Sequence, residues 1–398
     1  MNTGLVALTA DEATGQSLAT GMAGAALLHI ERALNGSGDW ASARAAIQQA
    51  AAGPIDTAEH AGLFYGAPAI AFVLHAAASD GRPRYRAAAT TLDGYVLRLA
   101  HRRLATAAGR MKRGETATFG EYDLFYGLTG IGALLLRHMP GSDALADVLR
   151  YLTRLTQPRH QDGLELPGWW VAHDPDPILP TPGGHANFGI AHGVAGLLAL
   201  LALATARGHV VDGQTEAIEY LSAWFDRWRQ DSAEGPWWPQ WVTRQELRTS
   251  RLAQDGPGRP SWCYGAVGIA RAQQLAAIAT NDPTRRKVAE EALAACLTDR
   301  QLHRITQMGL CHGMAGVYQT AYRAARDAQS PTIGARLPAV AAALTRYATA
   351  TQNHSDDIDD IGIGTGLLTG GAGVGLALET TRHTTPPRSG WDACLLIV

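Results

Sequence analysis

A four-residue signature, Gly-x-x-Gly, returns from one end of this sequence to the other, and no other feature limits the possible folds as strongly. It stands at Gly21–Gly24, Gly127–Gly130, Gly193–Gly196, Gly265–Gly268, Gly313–Gly316 and Gly370–Gly373. A weaker copy, Gly66-Ala67-Pro68-Ala69, fills the long gap between the first two. Each copy opens an apolar stretch such as Ile131–Leu136 or Leu197–Leu201. A recurring signature means one supersecondary unit used many times, each unit burying its apolar face against its neighbours. The segments between are of another kind. Gln214–Gln230 gathers Ile218, Leu221, Trp224, Phe225 and Trp228 on one helical face, and Asp143–Thr156 and Thr284–Leu297 are patterned alike. An apolar helix alternating with an amphipathic one predicts an all-α protein, an inner ring of helices inside an outer one. Glycine inside a helix costs about 1 kcal/mol relative to alanine, so the repeated pair needs a compensating cause. Close helix approach where the inner helices converge is the expected one.

The residues able to do chemistry stand just ahead of these glycines. Cys311 and His312 adjoin Gly313, and Cys263 lies two before Gly265 in Trp262-Cys263-Tyr264-Gly265. Two thiolates and an imidazole are a soft donor set suited to zinc, and three protein ligands leave a fourth position open, as in a catalytic centre. Two free cysteines packed as small hydrophobes beside a capping histidine is the competing reading. His192 precedes Gly193 directly, and Asp123 lies four before Gly127. If the signatures mark the starts of inner helices, all these side chains collect at one mouth of the ring. There the helix dipoles favour anions, thiolate included. Asp123 taken alone reads equally well as a helix cap.

Composition excludes other classes. The 398 residues run on without a dividing linker, so 1–398 is read as a single domain. A net charge of -2 with no basic tract gives no nucleic-acid footprint. Four cysteines in so long a chain fit a reducing compartment rather than a disulfide framework. Met1–Glu12 lacks the charged start and apolar core of a signal peptide. No apolar run approaches the roughly 18 residues of a membrane span; the expectation is a soluble cytoplasmic protein. Two connections are long and loop-like. Gln157–Asn187 carries six prolines, Pro177 among them, with Trp169 and Trp170, and Ser232–Trp262 carries Trp237, Trp238 and Trp241. Long loops are often functional. These are expected to wall an open cleft, their tryptophans either offering contact area to a substrate or packing inward to pin the loops.

The glycine signatures, taken with Trp262-Cys263-Tyr264-Gly265 and Cys311-His312-Gly313, resemble the lanthionine synthetase C-like family, the lanthipeptide (lantibiotic) cyclases and their relatives. The resemblance runs from Gly21 to Trp391–Leu396. It implies an α,α-toroid of seven inner and seven outer helices, with zinc held by Cys263, Cys311 and His312. It implies His192 as acid or base and Asp123 as the family aspartate, and it sets the family arginine on Arg259. Arg259 or Tyr264 would then stabilise an enolate oxygen. The implied activity is zinc-dependent addition of peptide cysteine thiols to dehydroalanine or dehydrobutyrine, closing thioether rings in an antibiotic-type peptide. The implied partners are a dehydrated precursor peptide with leader and core, a separate dehydratase and an exporter, since no dehydratase-like extension precedes Gly21. A relative that adds glutathione to dehydrated residues, and a zinc-stabilised scaffold that only binds peptides, are the alternatives.

Overall fold

The computed structural model describes residues 6–9, 14–176, 178–352 and 364–398; Pro177 and most of Met1–Glu12 fall outside them. The glycine signatures start helices, as their spacing predicts. The inner helices are α1 (Met22–Asn35), α3 (Ala67–Ala77), α5 (Leu128–His138), α7 (Val194–Ala206), α9 (Ala266–Ala279), α11 (Met314–Asp327) and α13 (Gly371–His383). Each packs on the next, and α13 returns to α1, so the ring closes. The outer helices are α2 (Trp40–Ala50), α4 (Arg86–Arg113), α6 (Asp143–Leu155), α8 (Gln214–Trp228), α10 (Pro283–Ala295) and α12 (Thr332–Gln352). Each lies against the inner helix before it. The fold is an α,α-toroid. Burial follows the two sequence types. Val194–Ala204 of α7 are buried without a break, whereas α8 buries the stripe Ile218, Leu221, Trp224, Phe225 and Trp228 and leaves its other face to solvent.

Among the described residues the outer ring has six long helices. The chain leaving α13 turns inward instead of adding another. Its last turn, Trp391–Leu395, is buried and packs on α5. Arg388 donates to Leu34 O of α1, Arg271 of α9 donates to Ile397 O, and Arg323 of α11 pairs with Asp392 at 2.6 Å. A segment that touches α1, α5, α9 and α11 together lies at the centre of the ring. The terminal residues therefore plug the toroid and link its inner helices through hydrogen bonds.

The glycine pairs have a different cause from the one expected. In every repeat the first glycine is the N-cap of the inner helix. In six of the seven it is extended, so backbone freedom is not what requires it. A Cβ on Gly130, Gly268, Gly316 or Gly373 would come within 3.0 Å of the carbonyl oxygen of the residue six before it. The glycines thus let each helix start fold tightly over the loop that leads into it. Contact with the neighbouring repeat is second: Leu63 rests on Gly130, Ile190 on Gly268 and Leu310 on Gly373. The weak copy departs for a local reason. Gly66 has φ of 71°, the left-handed region, and leads the chain into α3 by another path. Ala69 then fits, fully buried.

Candidate metal centre and acid–base pair

Six of the seven leading loops are joined in series by backbone hydrogen bonds two or three residues before the cap glycine. Leu124 N donates to Ala191 O, Ala191 N to Cys263 O, Cys263 N to Cys311 O, Cys311 N to Leu368 O, and Leu368 N to Ala19 O. Cys263 and Cys311 are therefore equivalent residues of consecutive repeats, held side by side by a backbone bond of 3.1 Å. One residue later in each repeat the side chain reaches solvent, and these positions hold His192, Tyr264 and His312. The whole site is a set of adjacent steps on one hydrogen-bonded series of loops.

The ligand atoms of Cys263, Cys311 and His312 all lie within 4.8 Å of one another, so the group could hold a metal ion. The donor chemistry, two sulfurs and one nitrogen, fits zinc with a position left over. Cys263 is buried, and its acidity rises because the Cys311 thiol and His312 hydrogen-bond to its sulfur; Cys311, paired with that same sulfur, is pushed the other way. Ser261 stands behind, its Oγ 3.6 Å from Cys263 Sγ while accepting the Gly265 N–H that caps α9.

His192 Nδ1 lies 2.6 Å from Asp123 Oδ2. Asp123 is buried, and its other oxygen accepts the N–H groups of Tyr126 and Gly127 at 2.7 and 2.9 Å. The carboxylate thus both ties down the turn that leads into α5 and holds the histidine; it is not the helix cap, which is Gly127. The imidazole is held between rings, with Phe119 at 5.2 Å and Phe125 at 4.8 Å between centroids, and Tyr122 OH donates to His192 O. Nε2 is left for the mouth, where the side chain keeps 23% of its exposure. Tyr264 links the two halves: its ring is 6.1 Å from His192 and its chain neighbour is Cys263. Burial raises the Tyr264 pKa, with the Cys263 charge adding to the effect, so the phenol stays protonated. Arg259 is exposed at the rim, close enough for its charge to favour the Cys311 thiolate.

Every residue singled out in the sequence thus comes to this one end, six in the loops and Arg259 at the edge. Sequence reasoning passed over Phe119, Phe125, Tyr122 and Ser261. Phe125 stands in the same repeat position as Cys263 and Cys311, so aligning the seven copies on their cap glycines would have found it. Phe119 carries no such mark. Both long loops do lie at this end: His185–Asn187 pairs antiparallel with Trp241–Thr243 directly before His192. Their tryptophans do not face a substrate, however. Trp169, Trp170, Trp237 and Trp238 are all buried. The Trp170 and Trp238 indole N–H groups donate to Gly183 O and Phe225 O. They pin the loops, and the contact-surface expectation fails for these four.

A closed double ring of helices carries a thiol–imidazole donor set and a His–Asp pair at one mouth. The chain belongs to the lanthionine synthetase C-like protein family, whose sequence model matches residues 12–396. Nisin biosynthesis protein NisC of Lactococcus lactis subsp. lactis is 24% identical over 212 residues, a match spanning 52% of this chain and 49% of that protein. A solved structure of nisin cyclase superposes with a TM-score of 0.78 over 96% of this chain and 92% of its own, at 20% identity. That likeness is one of fold. No helix among the described residues is long and apolar enough to cross a membrane.

Proposed function

We propose that this chain is a zinc-dependent lanthipeptide cyclase, adding cysteine thiols of a dehydrated precursor peptide to its dehydroalanine and dehydrobutyrine residues. The observation that carries the reading is the junction of the His192–Asp123 pair with Cys263, Cys311 and His312 through Tyr264 on one series of loops. Zinc, when held by those three ligands, supplies a cation that favours the thiolate form of a substrate cysteine near neutral pH. The remaining work falls to side chains of the chain itself. Sulfur bonds to the alkene β-carbon, the π pair moves toward the carbonyl as an enolate, and a proton must reach the α-carbon. His192, with Nδ1 tied to Asp123, presents Nε2 to take the thiol proton and return it there. Tyr264, kept protonated by burial, donates a hydrogen bond to the enolate oxygen, and Arg259 lowers its charge from the rim. The partly exposed Cys311, His312 and His192 suit a site that must receive many cysteines in turn. A separate dehydratase supplying the alkene, an exporter taking the product and a cytoplasmic setting complete the reading.

The test is mass analysis of a dehydrated, cysteine-bearing peptide after incubation and thiol alkylation. Ring closure leaves the mass unchanged and blocks alkylation. A gain of glutathione, or full alkylation despite tight binding, would replace this reading by thiol addition to proteins or by plain peptide binding.

A further inference from the structure

Four of the seven positions just before the cap glycines have no part in the chemistry above: Thr20, Tyr65, Tyr126 and Thr369. Like His192, Tyr264 and His312, none of them is buried. The mouth of the toroid is therefore floored by equivalent side chains, reactive on one arc and neutral on the other. Tyr126 is the step next to His192, on the side away from Tyr264, because Leu124 N donates to Ala191 O in the leading-loop series. It is 51% exposed, one of four exposed large apolar residues among those described and the only aromatic of the four. Its backbone is nonetheless clamped. Tyr126 N donates to Asp123 Oδ1, and Tyr126 O accepts from the buried Arg103 guanidinium. The carboxylate that orients His192 thus also anchors the backbone that carries this exposed ring.

Exposing an aromatic ring on a rigid support beside an acid–base histidine gives up burial without an evident structural return. We propose, building on the cyclase reading, that Tyr126, with Tyr65 next along the neutral arc, is a docking surface for the dehydrated peptide, the dehydro residue resting on the Tyr126 ring. A dehydroalanine or dehydrobutyrine residue has a flat α-carbon conjugated with its carbonyl, so it offers a planar face that a saturated residue lacks. An aromatic ring matches that face, and offset stacking rewards it beyond area alone. The four side chains of the arc carry no formal charge, so they themselves make no charge demand on the flanking sequence. A fixed platform next to His192 would set the α-carbon beside the group that protonates it.

The experiment uses a fluorescently labelled dehydrated peptide whose cysteines are alkylated, so that it neither closes rings nor ligates metal. A second peptide has alanine at every dehydro position. Binding to the zinc-loaded protein is read by anisotropy for wild type, Tyr126→Ala, Tyr126→Leu and Tyr126→Phe, with zinc content and thermal midpoint recorded for each. Loss of one aromatic face should weaken the dehydrated peptide about five- to tenfold in Tyr126→Ala and Tyr126→Leu and leave Tyr126→Phe near wild type. The saturated peptide should show little difference among the variants. Equal affinities for wild type and Tyr126→Ala, or an equal loss on both peptides, would overturn the proposal; if Tyr126→Ala fails to fold, Tyr126→Leu decides. Ring formation by wild type on the unblocked peptide is measured in parallel. Its absence refutes the cyclase reading, whereas rings made by a protein indifferent to Tyr126 refute this inference alone.

Discussion

Asp123 divides its two oxygens between two tasks, and two substitutions separate them. Oδ1 accepts the Tyr126 and Gly127 N–H groups at the start of α5, and Oδ2 holds His192 Nδ1. Asp123→Ala removes both at a buried site. The Tyr126 and Gly127 N–H groups lose their acceptor, and a buried donor left unmade costs about 1–3 kcal/mol, so the variant should lose about 2–4 kcal/mol and its thermal midpoint should fall by several degrees. Asp123→Asn keeps an oxygen for the Tyr126 and Gly127 N–H groups but turns an NH2 group toward His192. The imidazole must then hold its lone pair on Nδ1 and its proton on Nε2, the wrong tautomer for taking a proton at the mouth. Stability should stay within about 1 kcal/mol of wild type, while ring formation slows about a hundredfold or more, with zinc content unchanged. Thermal or denaturant melts and initial rates from alkylation-quenched mass spectra read the two effects apart. An Asn variant that cyclises at the wild-type rate would refute the orienting role. An Ala variant as stable as wild type would refute the role in holding the turn before α5.

Three other outcomes follow from the same geometry. Cys311→Ala should lose most of its zinc by metal analysis while keeping its helical circular dichroism, because a closed ring of helices does not fold around one ion; full zinc retention contradicts the ligand set. Gly316→Ala would drive a Cβ into Leu310 O and should cut folded yield sharply, whereas Gly334→Ala, with open space around it in α12, should stabilise by about 0.4–1 kcal/mol. Similar melts for the two variants would refute the tight-turn account of the glycines. Burial lowers the His185 pKa from 6.5 to about 4. The unfolded chain therefore takes up that proton first. His185 costs no stability above about pH 6.5 and takes stability away as pH falls from there toward 4. His185→Gln should narrow the gap between thermal midpoints at pH 7.5 and pH 5; an unchanged gap contradicts this.

The ring and its contents were legible because the fold writes the same short segment seven times. The cap glycine and the residues just ahead of it recur in register, so Cys263, Cys311, His192 and His312 could be placed at one mouth without coordinates. The reason for the glycines was not legible, since a helix start folding back on its own loop and one helix crossing another demand the same small residue. Asp123 was ambiguous for a similar reason, its carboxylate having one oxygen for the turn before α5 and one for His192 and the sequence showing one residue. The tryptophans of the long loops were ambiguous because an aromatic ring serves a buried pin and an open surface equally well. Phe119 against His192 joins one repeat to the next and the inward turn of Trp391–Leu395 meets several repeats at once, and local periodicity carries no sign of either.

The most direct measurement of the central claim is cyclisation of the dehydrated peptide in deuterium oxide. Addition of a thiol across the alkene must place one solvent-derived proton on the α-carbon for every thioether formed. The account predicts one non-exchangeable deuterium per ring, located by fragmentation at the former dehydro residue, with one alkylatable thiol lost for each. Thiol loss without deuterium, or deuterium gained while every thiol remains open to alkylation, would contradict it.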